Sequence, residues 1–234
     1  MINNNKIEAL ILARGGSKGI PRKNLLDFCG KPLVVWSVLQ AINTPEIDNV
    51  YISSDSDEIL NLCSKFGAIK IKRPDSISGD TAKSESAVTH FFETIGSNQK
   101  IVIMLEPTAP LRKKNDLSNC INSFKKNNWD SCFSGAILHD FLIWRKDNKE
   151  NLNSINYDYK YQEPRQSREP DYVENGGIYM FTPNCFIQNQ NRFGGNIGVY
   201  LTDFWQSFEI DEPQDWKFVS LLFKEYLTEE YKNY

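Results

Sequence analysis

The sequence predicts an α/β fold: a three-layer α/β/α arrangement around a mainly parallel, Rossmann-like sheet. Three observations predict it. Short apolar, β-rich runs alternate with segments of helical period up to about residue 137, and the run Ile101-Val-Ile-Met-Leu105 has no polar alternation, as in a strand buried on both faces. A glycine-rich basic loop follows directly on the first run, as loops do at the strand ends of such sheets.

The elements follow in order. Ile7 to Ala13 reads as a buried strand, Leu33 to Ile42 as an apolar helix opening near Pro32, and Asn49 to Ser53 as a second strand. Glu58 to Phe66 is a helix stopped by Gly67, with Ser54 or Asp55 as its expected N-cap, and Ile69 to Ile71 is the third strand. A helix over 84–95, the strand 101–105, a helix over 117–126 and a strand over 131–137 complete the alternation. Beyond about residue 138 the pattern changes. Asn- and Asp-rich turns, a polar tract from Tyr157 to Asp171, and β-like runs at 177–181 and 197–201 read as antiparallel excursions before a closing helix, Trp216 to Tyr226.

The most informative segment is Arg14-Gly-Gly-Ser-Lys-Gly-Ile-Pro-Arg-Lys-Asn24. Its glycines let backbone amides approach an anion, and Arg14, Lys18, Arg22 and Lys23 crowd cationic groups onto one short turn. A nucleoside triphosphate is the expected guest. The spacing is neither G-x-x-x-x-G-K-[ST] nor G-x-G-x-x-G, which disfavours kinase, ATPase and dehydrogenase readings.

Composition narrows the classes further. With 27 Lys and Arg against 30 Asp and Glu, the chain offers no broad basic field, so no nucleic-acid partner is expected. Its 5 cysteines lack C-x-x-C spacing, which points to reduced thiols and a cytoplasmic location, and no apolar stretch has the length of a membrane span. His90 and His139 are far apart and no Ser or Cys nucleophile motif accompanies them, so hydrolase and zinc readings lack support.

The loop Ala13 to Asn24, Ser53-Ser-Asp-Ser-Asp-Glu-Ile59, Arg73-Pro74 with Asp80-Thr-Ala-Lys-Ser84, Pro107-Thr-Ala-Pro-Leu-Arg112, Pro164-Arg-Gln166 with Glu174-Asn-Gly-Gly-Ile-Tyr179, and Glu209-Ile-Asp211 occur in this order. Together they resemble the acylneuraminate cytidylyltransferases, over nearly the whole chain. The resemblance implies a single nucleotidyltransferase domain, 1–234, that moves CMP from CTP to the anomeric hydroxyl of a nonulosonic acid and releases pyrophosphate. It also implies a homodimer formed through an inserted arm at about 138–175, where Phe141 to Trp144 make an apolar cluster that a plain hairpin core explains nearly as well.

Site residues follow from the same resemblance. Arg14 is expected near the α-phosphate and Lys23 toward the leaving pyrophosphate, with Ala13, Gly15 and Ser17 in the cradle and Asn24 on the nucleoside. Arg73, Ala82 and Ser84 are the expected cytosine pocket, although on spacing alone Arg73 is as readily a solvated cation. Asp211 and Glu209 are the expected ligands of Mg2+ or Mn2+, and Asp211 joins Arg14 and Lys23 as catalytic. The sugar is expected to meet Glu106, Arg165, Asn175, Tyr179 and Phe193, with Arg165 forking onto its carboxylate.

Three positions depart from the family pattern. Glu209 stands where aspartate is common, Glu106 where sialic acid enzymes carry glutamine, and Arg192 where some relatives are aromatic; the last two hint at a modified nonulosonate. Arg112 is open between a phosphate contact and an ion pair with Asp116. Two rival readings stand beside this one. A glycosyltransferase would use Asp55-Ser-Asp57 for a metal, whereas a regulatory module would bind CTP without turnover.

Overall fold

The computed structural model describes residues 6–96, 100–138, 141–161, 164–232 and 234. The expected parallel order is set by the first half of the chain. Strand β1 (Lys6–Leu12) leads through short strands β2 (Asp27–Phe28) and β3 (Lys31–Pro32) into helix α1 (Leu33–Ile42). Then come β4 (Asn49–Ser54), α2 (Asp57–Ser64), β5 (Ile69–Lys72), α3 (Ser84–Ile95), β6 (Lys100–Leu105), α4 (Asp116–Lys126) and β7 (Ser131–Leu138).

The second half adds a hairpin of β8 (Trp144–Lys146) and β9 (Leu152–Ser154), the long strand β10 (Asp171–Phe181), helix α5 (Pro183–Asn189), β11 (Ile197–Leu201) and α6 (Pro213–Tyr226). Among the described residues the main sheet has 7 strands in the order β11-β7-β10-β6-β1-β4-β5. Neighbours run parallel except β10, which is antiparallel to both β6 and β7. The expectation of antiparallel excursions therefore holds for β10 but not for 197–201, since β11 pairs parallel with β7.

Alternation along β1 explains the layers. Ile7, Ala9 and Ile11 pack with α1, α2 and α4, whereas Leu10 packs with Val88, Phe91 and Phe92 of α3 and Phe186 of α5. Helix α6 closes a third cluster through Val219 and Phe223 against Phe28, Leu33 and Trp36. The N-cap of α2 is corrected to Ser56, whose hydroxyl accepts from the Ile59 amide.

The chain steps from β1 outward to β4 and β5, then returns to the other side of β1 as β6. Such a reversal leaves a crevice at the carboxyl ends of the strands flanking it. The basic loop leaves β1 at that edge. Strand β10 is interrupted there too, by a register shift between Glu174 and Tyr179 that contains Gly176 at φ 64.

Candidate active site

A cleft of about 310 Å³ lies at this edge. It gathers residues from five separate stretches of chain: Arg14, Gly16, Ser17, Lys23 and Asn24 after β1, Arg73 after β5, Asp80, Ala82 and Ser84 up to the start of α3, Glu106 after β6, and Asp211 before α6. Nine of the residues singled out in the sequence, Arg14, Ser17, Lys23, Asn24, Arg73, Ala82, Ser84, Glu106 and Asp211, thus line one cleft.

The loop divides its labour unevenly. Lys23 is buried, its ammonium 2.5 Å from the Ile210 carbonyl oxygen and 3.1 Å from Asp211 Oδ1. Arg14 and Lys18 reach Asp80 at 2.8 and 3.0 Å. Arg22, in a left-handed conformation, turns to Glu58, so it is not among the cleft residues. Glycine at 19 is required because a Cβ there would overlap the Asp211 carbonyl oxygen, whereas a Cβ at Gly16 meets no atom within 4 Å.

Two predicted loop residues support the cleft from behind. The Ala13 amide donates to the Ser53 carbonyl and the Gly15 amide to Asp55 Oδ1 at 2.8 Å. This also accounts for Asp55-Ser-Asp57: Asp55 holds the loop and Asp57 pairs with Lys72.

Arg73 and Asn24, which also line the cleft, are 7% and 8% exposed, yet the Arg73 Nε and the Asn24 Oδ1 have no protein partner among the described residues. Burial lowers the pKa of Arg73, with Asp55 opposing the shift. Buried polar atoms are normally satisfied, and orphaned ones on a cleft wall await a polar ligand. Arg73 is therefore not a solvated cation.

Of the predicted sugar residues Glu106 lines the cleft, whereas Asn175, Tyr179 and Phe193 are not among its lining residues. Asn175 is buried, accepting from Ser134 Oγ and the Gly177 amide while donating to Thr202. Tyr179 packs in the core and donates to Glu174 Oε1 at 2.6 Å, and Phe193 meets its ring edge-on at 5.9 Å. Arg165 opens a 3-10 turn, Arg165–Ser167, and its side chain lies outside the described residues, as does His139.

The two acidic residues before α6 differ in environment. Asp211 is exposed beside Lys23. Glu209 is half-buried against Gly176, and burial, followed by the charges of Glu106 and Asp211, pushes its pKa to about 7. Among the described residues no group of three His, Cys, Asp or Glu is placed to hold a metal by itself. One exposed carboxylate lining the cleft beside the basic loop nevertheless fits a magnesium-type ion, which takes one or two carboxylates and completes its shell with phosphates and water.

Arg112 takes neither of the two roles the sequence left open for it. It is buried, and donates to Gln40, Ser37 and the carbonyls of Glu106, Ala109 and Gly177. It neither binds phosphate from the cleft nor pairs with Asp116, which instead accepts from Lys113, Tyr200 and Gln206. Its role is to tie the turn after β6 to α1 and β10.

The model of the family described as cytidylyltransferase matches residues 8–226. The chain belongs to that family. A pseudaminic acid cytidylyltransferase of Campylobacter jejuni subsp. jejuni serotype O:23/36 is 34% identical to this cytidylyltransferase across 92% of its chain and 95% of the relative's. The N-acylneuraminate cytidylyltransferase of Oncorhynchus mykiss is 29% identical across 90% of this chain and 48% of its own. A solved CMP:2-keto-3-deoxy-manno-octonic acid synthetase complexed with CTP superposes with a TM-score of 0.70, covering 95% of this chain and 100% of that one, at 16% identity, a likeness of fold. This cytidylyltransferase is accordingly an enzyme of nucleotidyl transfer built on a nucleotidyltransferase sheet.

Proposed function

We propose that this enzyme transfers CMP from CTP to the anomeric hydroxyl of a nonulosonic acid, forming a CMP-sugar and pyrophosphate. The observation that carries the reading is that Arg14, Lys23 and Asp211 line the same cleft as Arg73 and Asn24, whose Nε and Oδ1 are orphaned among the described residues. Cations meet a triphosphate, and the unsatisfied atoms meet a nucleoside. The 34% identity to two pseudaminic acid cytidylyltransferases, both from Campylobacter jejuni, supports a modified nonulosonate.

The attacking oxygen bonds the α-phosphorus as its proton passes to solvent, and the bond from the α-phosphorus to the oxygen bridging the β-phosphate breaks in line, that oxygen leaving with the pyrophosphate. Arg14 and Lys23 neutralise the phosphates, Gly16 and Ser17 let the chain lie close to them, and Arg73 with Ser84 orients the base. Magnesium or manganese, held by Asp211 together with phosphate oxygens, would withdraw charge at the α-phosphorus. Glu209 is half-buried against Gly176, and Asp211, the exposed one of the two, is the ligand proposed for the ion.

The 138–175 segment is proposed as a dimerisation arm. Exposed Phe141, Ile143, Trp144 and Leu152 on and around the β8–β9 hairpin support it. A cytoplasmic setting is supported by five free thiols, Cys120 and Cys132 among them with sulfurs 3.8 Å apart. No described helix is long and apolar enough to cross a membrane.

Release of pyrophosphate from CTP in the presence of magnesium and a panel of nonulosonic acids tests the reading. Binding of CTP without turnover on any of them would overturn it.

A further inference from the structure

Glu106 lines the cleft, and Arg192, from the loop after α5, closes on it. The Arg192 Nη1 lies 3.4 Å from Glu106 Oε1, its Nε lies 3.2 Å from Glu85 Oε1, and its guanidinium carbon lies 4.5 Å from the centre of the Tyr179 ring. Side-chain exposure is 18% for Arg192, 20% for Glu85 and 28% for Glu106. These are not freely solvated ion pairs of the kind that contribute little. Three elements meet in the contact: the first turn of α3, directly beside cleft-lining Ser84, the end of β6, and the loop after α5.

A guanidinium bonded to two carboxylates and stacked on an aromatic face is already committed. It is not available as the free cation for a substrate carboxylate. Its effect falls on Glu106 instead. Burial favours the neutral form of Glu106, the charges of Glu174 and Asp211 act the same way, and Arg192 opposes them. Glu209, Tyr179 and Arg112 are the other titratable groups whose fields couple to Glu106.

We infer that Arg192 is a positioning residue for substrate choice: bridging Glu85 and Glu106 over Tyr179, it holds Glu106 as an ionised, acceptor-only group in the cleft wall. The sugar this enzyme accepts therefore presents a hydroxyl or amide N–H donor to Glu106. A site built around a buried acceptor discriminates strongly, because a substrate without the donor leaves that acceptor unpaired. The inference rests on the proposed function and deepens it.

Steady-state kinetics of the full chain test it, with CTP and the nonulosonic acid turned over best, on wild type, R192L, R192K, E106Q and the R192L/E106Q double variant. R192L and E106Q are each expected to raise the KM for the sugar about tenfold while the KM for CTP stays within about twofold. R192K is expected to recover most of the loss, and the double variant to be no worse than the poorer single one, because the two side chains act as one unit. An unchanged sugar KM in R192L overturns the inference. So do losses that multiply in the double variant, or equal rises in both KM values with a lowered Tm, which mark a structural brace. No turnover of any nonulosonic acid by wild type removes the functional reading and the inference together. Wild-type turnover with unaltered R192L kinetics removes the inference alone.

Discussion

Lys23 and Asp211 stand 188 positions apart in the chain and meet at 3.1 Å. The lysine side chain is 8% exposed and the aspartate 75%. A buried ammonium has given up most of its hydration, so its charge acts on whatever anion shares the cleft, while the aspartate next to it stays open to an ion from solvent. The basic loop and the segment before α6 thereby form one unit.

Lys23→Ala removes the cation proposed to face developing phosphate charge. The expected loss in kcat/KM for CTP is about 10²-fold, read by pyrophosphate release. An unchanged value takes Lys23 out of the chemistry.

Asp211→Ala deletes the carboxylate proposed to hold the divalent ion. Turnover at limiting magnesium should fall by at least about tenfold and the magnesium concentration for half-maximal rate should rise. Wild-type turnover across the magnesium titration contradicts the assignment.

Two glycines of the loop separate folding from binding. Gly19→Ala drives a Cβ into the Asp211 carbonyl oxygen, so Tm and activity should fall together. Gly16→Ala meets no atom within 4 Å among the described residues, so Tm should hold while the KM for CTP rises, since the new methyl occupies space in the cleft. A CTP affinity unmoved by Gly16→Ala places the phosphates elsewhere.

Glu209 gives a pH signature. Its folded pKa of about 7 exceeds the ordinary 4.5, so the folded chain holds the proton more tightly than the unfolded one. That stabilising contribution is fully present below about pH 4.5 and is lost as pH rises through about 7. In metal-free protein Glu209→Gln should flatten the fall of Tm with pH and stabilise at pH 8 by about 1–2 kcal/mol, discounted for the water this half-buried group still meets. Parallel Tm profiles for variant and wild type from pH 5 to 8 would exclude the shift.

The helices over 33–42 and 84–95 are legible in the sequence to the residue, because apolar periodicity and clear flanks determine them locally. Helix α5 is not, being only 7 residues long, although Thr182 before Pro183 carries a cap signal and its hydroxyl accepts from the Cys185 amide. The direction of β11 is invisible locally too, since period-two alternation does not encode which neighbour a strand pairs with.

That the residues proposed to hold the nucleotide share one cleft is readable because they cluster in one loop and two short motifs. Arg112 and Arg192 are not, because their partners lie tens of positions away: Ser37 and Gly177 for the first, Glu85 and Glu106 for the second. Only the fold brings those charges together, and the same holds for the separation of Asp211 from Glu209, two residues apart yet in different surroundings.

The most direct measurement is pyrophosphate release by wild-type enzyme with CTP and magnesium, across pseudaminic, diacetyllegionaminic and N-acetylneuraminic acids. The account predicts sugar-dependent release of pyrophosphate matched by CMP-sugar, with a modified nonulosonate preferred. A clear preference for N-acetylneuraminic acid would contradict the assignment of a modified substrate, and CTP binding without sugar-dependent release would contradict the enzyme's proposed reaction.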